Sequence, residues 1–367
     1  MKLKIKYFSI LFFLILLIPN ESRAQIFTVD IIDYGGIDSS PLLKNVLDNK
    51  VQEFEDQVNT ALPSAGPKRI MQGMANTSAI AGKGIGTDYA SYMTKYMIAF
   101  TGRAAFDLEH EKNTDSDVSG VGGATGFTLG TKAKNMNIQE FAGLDTDRLS
   151  LYGNFMYLGH EFELLNNGGV EAELRVGLLN IGTHLRYDWI DGSGDPWWGW
   201  GGVKLHWGLE YNRSKLMFQN TIDHVFSASD GQDNINGRIT GKPKYEIIAT
   251  TYSIPLEISS DVRFLNIFTL YGGVGADINY GKAEGKGQLD GDVTPLICTG
   301  SGVCGGGNIV KVQVRANLDA DGRVSPFYLR GFTGLQINLP HVQLFGQFDK
   351  AYGTEIIALT AGIRYVY

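Results

Sequence analysis

Glu355-Ile356-Ile357-Ala358-Leu359-Thr360-Ala361-Gly362-Ile363-Arg364-Tyr365-Val366-Tyr367 closes the chain, and its alternation decides how the rest is read. Tyr367, Tyr365, Ile363, Ala361, Leu359 and Ile357 fall on one face of a strand. Val366, Arg364, Gly362, Thr360, Ala358 and Ile356 fall on the other. Side chains of a strand alternate with period two, so one face is apolar and ends in aromatics while the other is small and carries an arginine. That suits a strand with lipid outside and a polar lumen inside. The expected fold is all-β, a transmembrane antiparallel barrel.

The same alternation recurs upstream. Strands are predicted at 95–108, 124–132, 149–162, 169–178, 181–189, 202–212, 214–226, 244–258, 266–280, 325–339, 341–350 and 354–367, about twelve in all. Val170, Ala172, Leu174, Val176 and Leu178 oppose Glu171, Glu173 and Arg175. Val203, Leu205, Trp207, Leu209 and Tyr211 oppose Lys204, His206, Glu210 and Asn212. Leu335, Ile337 and Leu339 oppose Gln336 and Asn338. A Lys or Arg on the lipid face costs about 2–4 kcal/mol at the midplane. Glu171, Glu173, Arg175, Arg186, Asp188, Lys204, Glu210, Arg330, Asp349 and Arg364 are therefore expected to line the lumen. Their mixed signs suit a salt-bridged interior rather than a single-sign ion filter.

Even strand number with both ends periplasmic puts links 109–123, 190–201, 227–243 and 281–324 outside. The segment 308–319 alternates as cleanly as any strand. It is read as part of an external hairpin within 281–324, closed by Cys298 and Cys304, which are predicted to pair in an oxidising compartment. A metal pair would lack a third soft ligand nearby. Trp197, Trp198 and Trp200 form an external aromatic cluster on this reading, either part of an interfacial girdle or a stacking surface.

The N-terminal end differs. Lys2, Lys4 and Lys6, the apolar run Tyr7–Ile18, and Ser22 and Ala24 read as a signal peptide over 1–24. Its removal takes four basic residues and one acid, and the net charge moves from −7 to −10, which argues against a nucleic-acid partner. Within 25–86, Ser40-Pro41 signals a helix start. Leu43, Leu47, Val51, Phe54, Val58 and Leu62 then recur at helical steps. This helix is expected either to pack beneath the barrel or to plug its lumen. Gly66–Gly86 is read as a small-residue lead-in to the barrel at 87–367, and the glycines of Gly82-Lys83-Gly84-Ile85-Gly86 as flexibility at its entry.

Catalytic signatures are missing. The six histidines have no ligand spacing, and Asp223-His224 is a single dipeptide. Asn317, Asp319, Asp321 and Gly322 begin like a calcium loop, but position twelve is Tyr328 rather than the bidentate glutamate. A tight turn is expected there. No cofactor and no enzymatic activity are expected.

Leu144-Asp145-Thr146-Asp147-Arg148-Leu149-Ser150-Leu151-Tyr152-Gly153-Asn154-Phe155, with the order signal peptide, amphipathic helix, Ala79-Ile80-Ala81 to Gly86 lead-in and barrel, resembles the leptospiral surface-adhesin barrels. The resemblance implies surface exposure and external loops that bind a host matrix or plasma protein. The aromatic C-terminal strand resembles the signal read by the barrel-assembly machinery. A second likeness, to hydrophobic-compound transporters with an N-terminal plug and about fourteen strands, implies a helix-gated channel for small or hydrophobic solutes.

Overall fold

Ten antiparallel strands close on themselves into a ring. The computed structural model describes residues 27–33, 44–45, 48–49, 52, 67–90, 95–108, 120–136, 140–141, 143–167, 170–195, 197–229, 233–242, 244–300 and 312–367. The predicted signal peptide, the apolar residues Leu43, Leu47, Val51, Phe54, Val58 and Leu62, and Cys304 lie outside them, as does the side chain of Cys298. Within that predicted helix, Lys44, Asn45, Asp48, Asn49 and Gln52 are helical.

In chain order the main elements are β1 (Phe27–Asp33), α1 (Pro67–Gly82), β2 (Tyr96–Asp107), β3 (Gly120–Lys132), β4 (Leu149–Asn167) and β5 (Val170–Ile190). There follow β6 (Trp198–Asn220), β7 (Ile222–Ser229), β8 (Asp233–Gly241), β9 (Lys244–Phe264) and β10 (Phe268–Gly300). The last are β11 (Val312–Arg323), β12 (Phe327–Asn338), β13 (Val342–Tyr352) and β14 (Ile356–Val366). The ring runs β2-β3-β4-β5-β6-β9-β10-β12-β13-β14, and β14 returns to β2 with Ile356 opposite Asp107 and Tyr365 opposite Ile98.

The ring has ten strands because two pairs predicted separately are each one long strand. The predicted 169–178 and 181–189 merge into β5, and 202–212 and 214–226 into β6. Leu179 pairs through the supposed break with Arg213, and Asn180 with Asn212. No glycine-rich or proline turn interrupts either run, and the ladder hydrogen bonds continue through them.

The faces confirm a barrel turned inside out relative to a soluble protein. On β9, Leu256 and Ile258 are each 47 % exposed, while Glu257 between them is 4 % exposed. On β14, Leu359, Ile363 and Tyr365 point out, and Thr360 and Arg364 point in, as the closing stretch predicts. An apolar exterior this continuous belongs in lipid. Strands β2, β12, β13 and β14 have 11 or 12 residues, enough for a tilted crossing of about 9–11 residues.

The end that carries Tyr367 is called proximal. There Lys95 and Tyr96 donate their backbone N–H groups to the Tyr367 carbonyl at 2.6 and 2.8 Å. Connections 133–148, 191–197, 265–267 and 339–341 share this end. The C-terminal ends of β2, β4, β6 and β13 and the N-terminal ends of β3, β5, β9, β12 and β14 share the opposite, distal end. Exposed Tyr96, Trp189, Trp198, Phe264, Phe268 and Tyr365 ring the proximal rim, and Tyr157, Tyr280, Phe327 and Tyr352 the distal one, the two interfacial girdles of a membrane barrel.

Beyond the distal rim the sheet continues. β10 is 33 residues long. Its upper half pairs with β11, from Lys282 opposite Arg323 to Val293 opposite Val312. β8 joins its other edge and carries β7, and β1 pairs with the free edge of β11. This crown is the described part of the external excursion expected at 281–324. The supposed calcium loop is neither loop nor tight turn: Asn317 to Gly322 lie in β11, opposite Gln288 to Ala283.

Candidate functional site

The lumen is occupied by the chain's own residues 67–90. Pro67 stands at the first position of α1, where its fixed φ suits a helix start and its missing N–H costs nothing. α1 then descends from the distal end. From Gly73 to Gly82 it is rich in small residues, GMANTSAIAG, and meets a wall of small residues on β3. A Cβ at Gly120 would collide with the Gly73 backbone, and one at Gly122 with the Thr77 carbonyl. Ala75, Ala79 and Ile80 pack against Ala105, Ala124, Ala249, Ala283, Ile356 and Ala358. Helix and wall approach backbone to backbone because both lack bulk.

Below Gly82 the chain turns inside the barrel. Gly84 and Gly86 have φ of 67° and 87°, left-handed values that favour glycine. A Cβ at Gly86 would also strike Thr128. These glycines serve a fixed, buried turn rather than flexibility at the entry.

The turn holds charge against charge. Lys83 lies 3.7 Å from Asp277 and donates to Asn279 Oδ1 at 2.5 Å. Arg103 donates to the Lys83 carbonyl and lies 3.1 Å from Asp349. Arg330, fully buried, donates to Asp349 at 2.5 Å, to Asp277 at 3.1 Å and to Glu257. Tyr89 donates to Glu257 at 2.7 Å and stacks on Tyr271, 5.7 Å between centroids. Glu210 accepts the Gly84 N–H at 3.0 Å and lies 3.3 Å from His184.

Nearer the proximal end, Asp88 accepts from Arg186 at 3.2 Å and from Arg364 at 3.0 Å. Lys204 donates to Asp261 and to the Tyr89 carbonyl at 3.1 Å. His206 meets Ser259 at 2.7 Å. Buried ions are tolerable only when paired and hydrogen-bonded, and here the plug supplies the partners that complete the wall's pairs.

Arg186, Lys204, Glu210, Arg330, Asp349 and Arg364 point inward and meet in this network, with Asp188 at its edge 3.2 Å from Arg186. The residues that sequence reading did not single out are Lys83, Asp88, Tyr89, Arg103, Glu257, Asp261 and Asp277. Glu257 and Asp277 alternate with Leu256, Ile258 and Ile278, a signal that could have placed them. Nothing in the pattern of 66–90 announced an interior helix, because small residues such as Ala75, Thr77, Ser78 and Ala79 make up much of its buried face.

Two groups are placed otherwise than expected. β5 is continuous from Ala172 to Asp188, so Glu173 and Arg175 share the outer face with Ile181. Arg175 is exposed and pairs with Glu161 at 3.1 Å and with Glu173. Glu171, whose side chain lies outside the described set, holds the same register. The predicted break near 179–180 had reversed this face. These charges stand near the distal end of a strand that outlasts the lipid band.

Trp197, Trp198 and Trp200 lie at the proximal end, not with the long loops. Two false turns, one on either side of 190–201, had inverted that connection. Trp200 Nε1 donates to Ser260 Oγ at 2.9 Å. In the same connection Asp195 Oδ1 accepts the N–H groups of Trp197 and Trp198, both at 2.9 Å. These two bonds hold its carboxyl below the ordinary carboxylate range.

A family model described as Lsa36-like matches residues 24–367. No curated protein matches the sequence. Among solved structures, the chain is similar to the transport unit of the autotransporter AIDA-I from Escherichia coli, with 10 % identity, a TM-score of 0.32, and coverage of 82 % of this chain and 99 % of that one. It is also similar to the translocator domain of the autotransporter NalP from Neisseria meningitidis, with 10 % identity, a TM-score of 0.27, and 91 % and 99 % coverage. A third similarity is to the toluene transporter TodX of Pseudomonas putida, with 7 % identity, a TM-score of 0.24, and 80 % and 99 % coverage. Scores this low bear no argument about function.

Proposed function

The chain belongs to the Lsa36-like family of leptospiral surface adhesins, and from that premise we propose that its distal crown binds an extracellular partner, a host matrix or plasma protein. The ring anchors it in the outer membrane. The observation that carries this reading is the contrast between the filled lumen and the sheet that continues beyond its distal end. The interior is filled by 67–90 and locked by ion pairs, whereas β10 and β11 run on past the rim and recruit β1, β7 and β8 into a sheet clear of the lipid band. Longer loops belong outside and shorter turns inside, so the distal end faces the exterior. The C-terminal strand β14, ending in Tyr367, is what the barrel-assembly machinery would read.

The experiment is binding of refolded protein to immobilised basement-membrane extract and to diluted serum. It is run on the full chain and on a form in which Ala283–Gly322 is replaced by a short turn. Loss of binding with a folded ring supports the reading. Equal binding by both forms ends it.

A helix-gated transporter is the second reading, because 67–90 lies in the lumen ahead of β2, the first strand of the ring. It requires that segment to leave, breaking Lys83–Asp277, Asp88–Arg186 and Asp88–Arg364 together. Conductance of the refolded protein in a planar bilayer, with residues 25–90 present and deleted, separates the two. A channel that opens and closes with the segment in place would favour transport.

A further inference from the structure

The direction of the plug has a topological consequence. The ring begins and ends at the proximal rim, where Lys95 and Tyr96 bond to Tyr367. The chain before it does not stay at that rim. Traced backwards, Tyr89 meets Lys204 and Asp88 meets Arg364, both in the proximal half. Ile85 then fills the space over Gly126, Thr77 over Gly122 and Gly73 over Gly120, stepping up β3 toward its distal end. Gln72 lies under Gly322 and Met71 against Gly285, both already in the crown. A helix of 16 residues is about 24 Å long. With the eight residues after it, the segment spans a hydrocarbon core of about 30 Å.

A second observation is independent of the helix. Phe27–Asp33 pairs antiparallel with Leu318–Gln313 of β11, strand against strand, on the distal side. The ring is closed between β2 and β14, and a chain cannot cross lipid outside it as irregular backbone. The chain therefore passes once through the lumen, from crown to proximal rim.

We propose that the barrel displays its own N-terminal strand: β1, Phe27–Asp33, stands on the outer surface, delivered through the lumen, with 67–90 left behind as both thread and seal. The displayed strand is part of the binding surface, since β1 forms the outer edge of the crown. A small-residue helix and a glycine wall suit this role, because a narrow ring can admit a helix only where neither side carries bulk. This rests on the outward orientation of the distal end proposed above.

The test uses the full chain in cells with Cys298→Ser and Cys304→Ser as background. Single cysteines are placed at Asn49 between β1 and α1 in the chain, at Lys242 in the distal connection and at Lys134 near the proximal rim, all exposed positions. A membrane-impermeant maleimide is applied to intact and to permeabilised cells, and each variant is checked for heat-shifted migration of a folded barrel. Asn49→Cys and Lys242→Cys should label equally in intact and opened cells, and Lys134→Cys only in opened ones. Protection of Asn49→Cys in intact cells overturns the display. If Lys242→Cys still labels, the orientation stands and only the threading fails. If Lys134→Cys labels in its place, the orientation fails as well.

Discussion

Asp88 Oδ1 accepts a hydrogen bond from Arg364 Nη1 at 3.0 Å, so the plug is tied to the last strand of the ring. The same carboxylate, through Oδ2, lies 3.2 Å from Arg186 on β5. One side chain of the plug thus bridges two strands that are not neighbours in the ring. Removing one partner of a buried ion pair costs about 3–5 kcal/mol. Asp88→Ala should lose about that much in urea unfolding of the refolded barrel. A variant as stable as wild type would mean that the pair carries no weight.

The plug depends on the absence of side chains at its wall. Gly122→Phe puts a ring where the Thr77 carbonyl now lies, and overpacking of this kind costs about 1–3 kcal/mol or more. The helix should be displaced and conductance in planar bilayers should rise above that of wild type. A folded Gly122→Phe barrel with unchanged conductance would contradict the close packing of α1 on β3.

Ser78 and Ser214 face each other with their hydroxyl oxygens 3.4 Å apart. In the Cys298→Ser, Cys304→Ser background, Ser78→Cys with Ser214→Cys should oxidise to a disulfide, visible as a mobility shift on non-reducing gels. Adjacent side chains at this separation suit the span of such a bond. If no bond forms under oxidising conditions, the helix is not held against β6.

The exterior is tested by charge. Leu256→Lys, in the lipid band, should cost about 2–4 kcal/mol in unfolding. Val225→Lys, exposed on β7 in the crown, should change stability little, within about 0.5 kcal/mol. Equal costs would place the lipid boundary elsewhere.

Asp195 gives a pH signature at the proximal connection. Its carboxyl is held below the ordinary range by the N–H groups of Trp197 and Trp198. The folded-state value is therefore lower than the unfolded one. Its contribution is present above the unfolded carboxylate value of about 3.9 and is lost as pH falls through the folded value. Fluorescence from the Trp197–Trp200 connection should hold steady down to that range and change below it, and Asp195→Asn should abolish the change. A transition well above the ordinary carboxylate value would rule out these bonds as its cause.

The sequence by itself determined the class, the wall and the lipid face. Leu359, Ile363 and Tyr365 against Thr360 and Arg364 could be assigned from period two alone, because lipid punishes a misplaced charge and so keeps the alternation clean. Arg330, Asp349 and Lys204 were assigned inward by the same reasoning. Where strands outrun the membrane that constraint lapses. Glu173 and Arg175 sit on the outer face near the distal end of β5, where Arg175 is exposed and paired with Glu161, so alternation there no longer marks the lipid side. The tertiary structure alone decided the strand number, since β5 and β6 are continuous ladders with no local signal to distinguish them from pairs. It alone also decided what fills the lumen. Among the described residues, Met71 to Ala90 is the segment inside. Its complement to Gly120, Gly122 and Gly126 is a match of small surfaces, and such a match leaves no periodic mark on either strand or helix until the two are brought together.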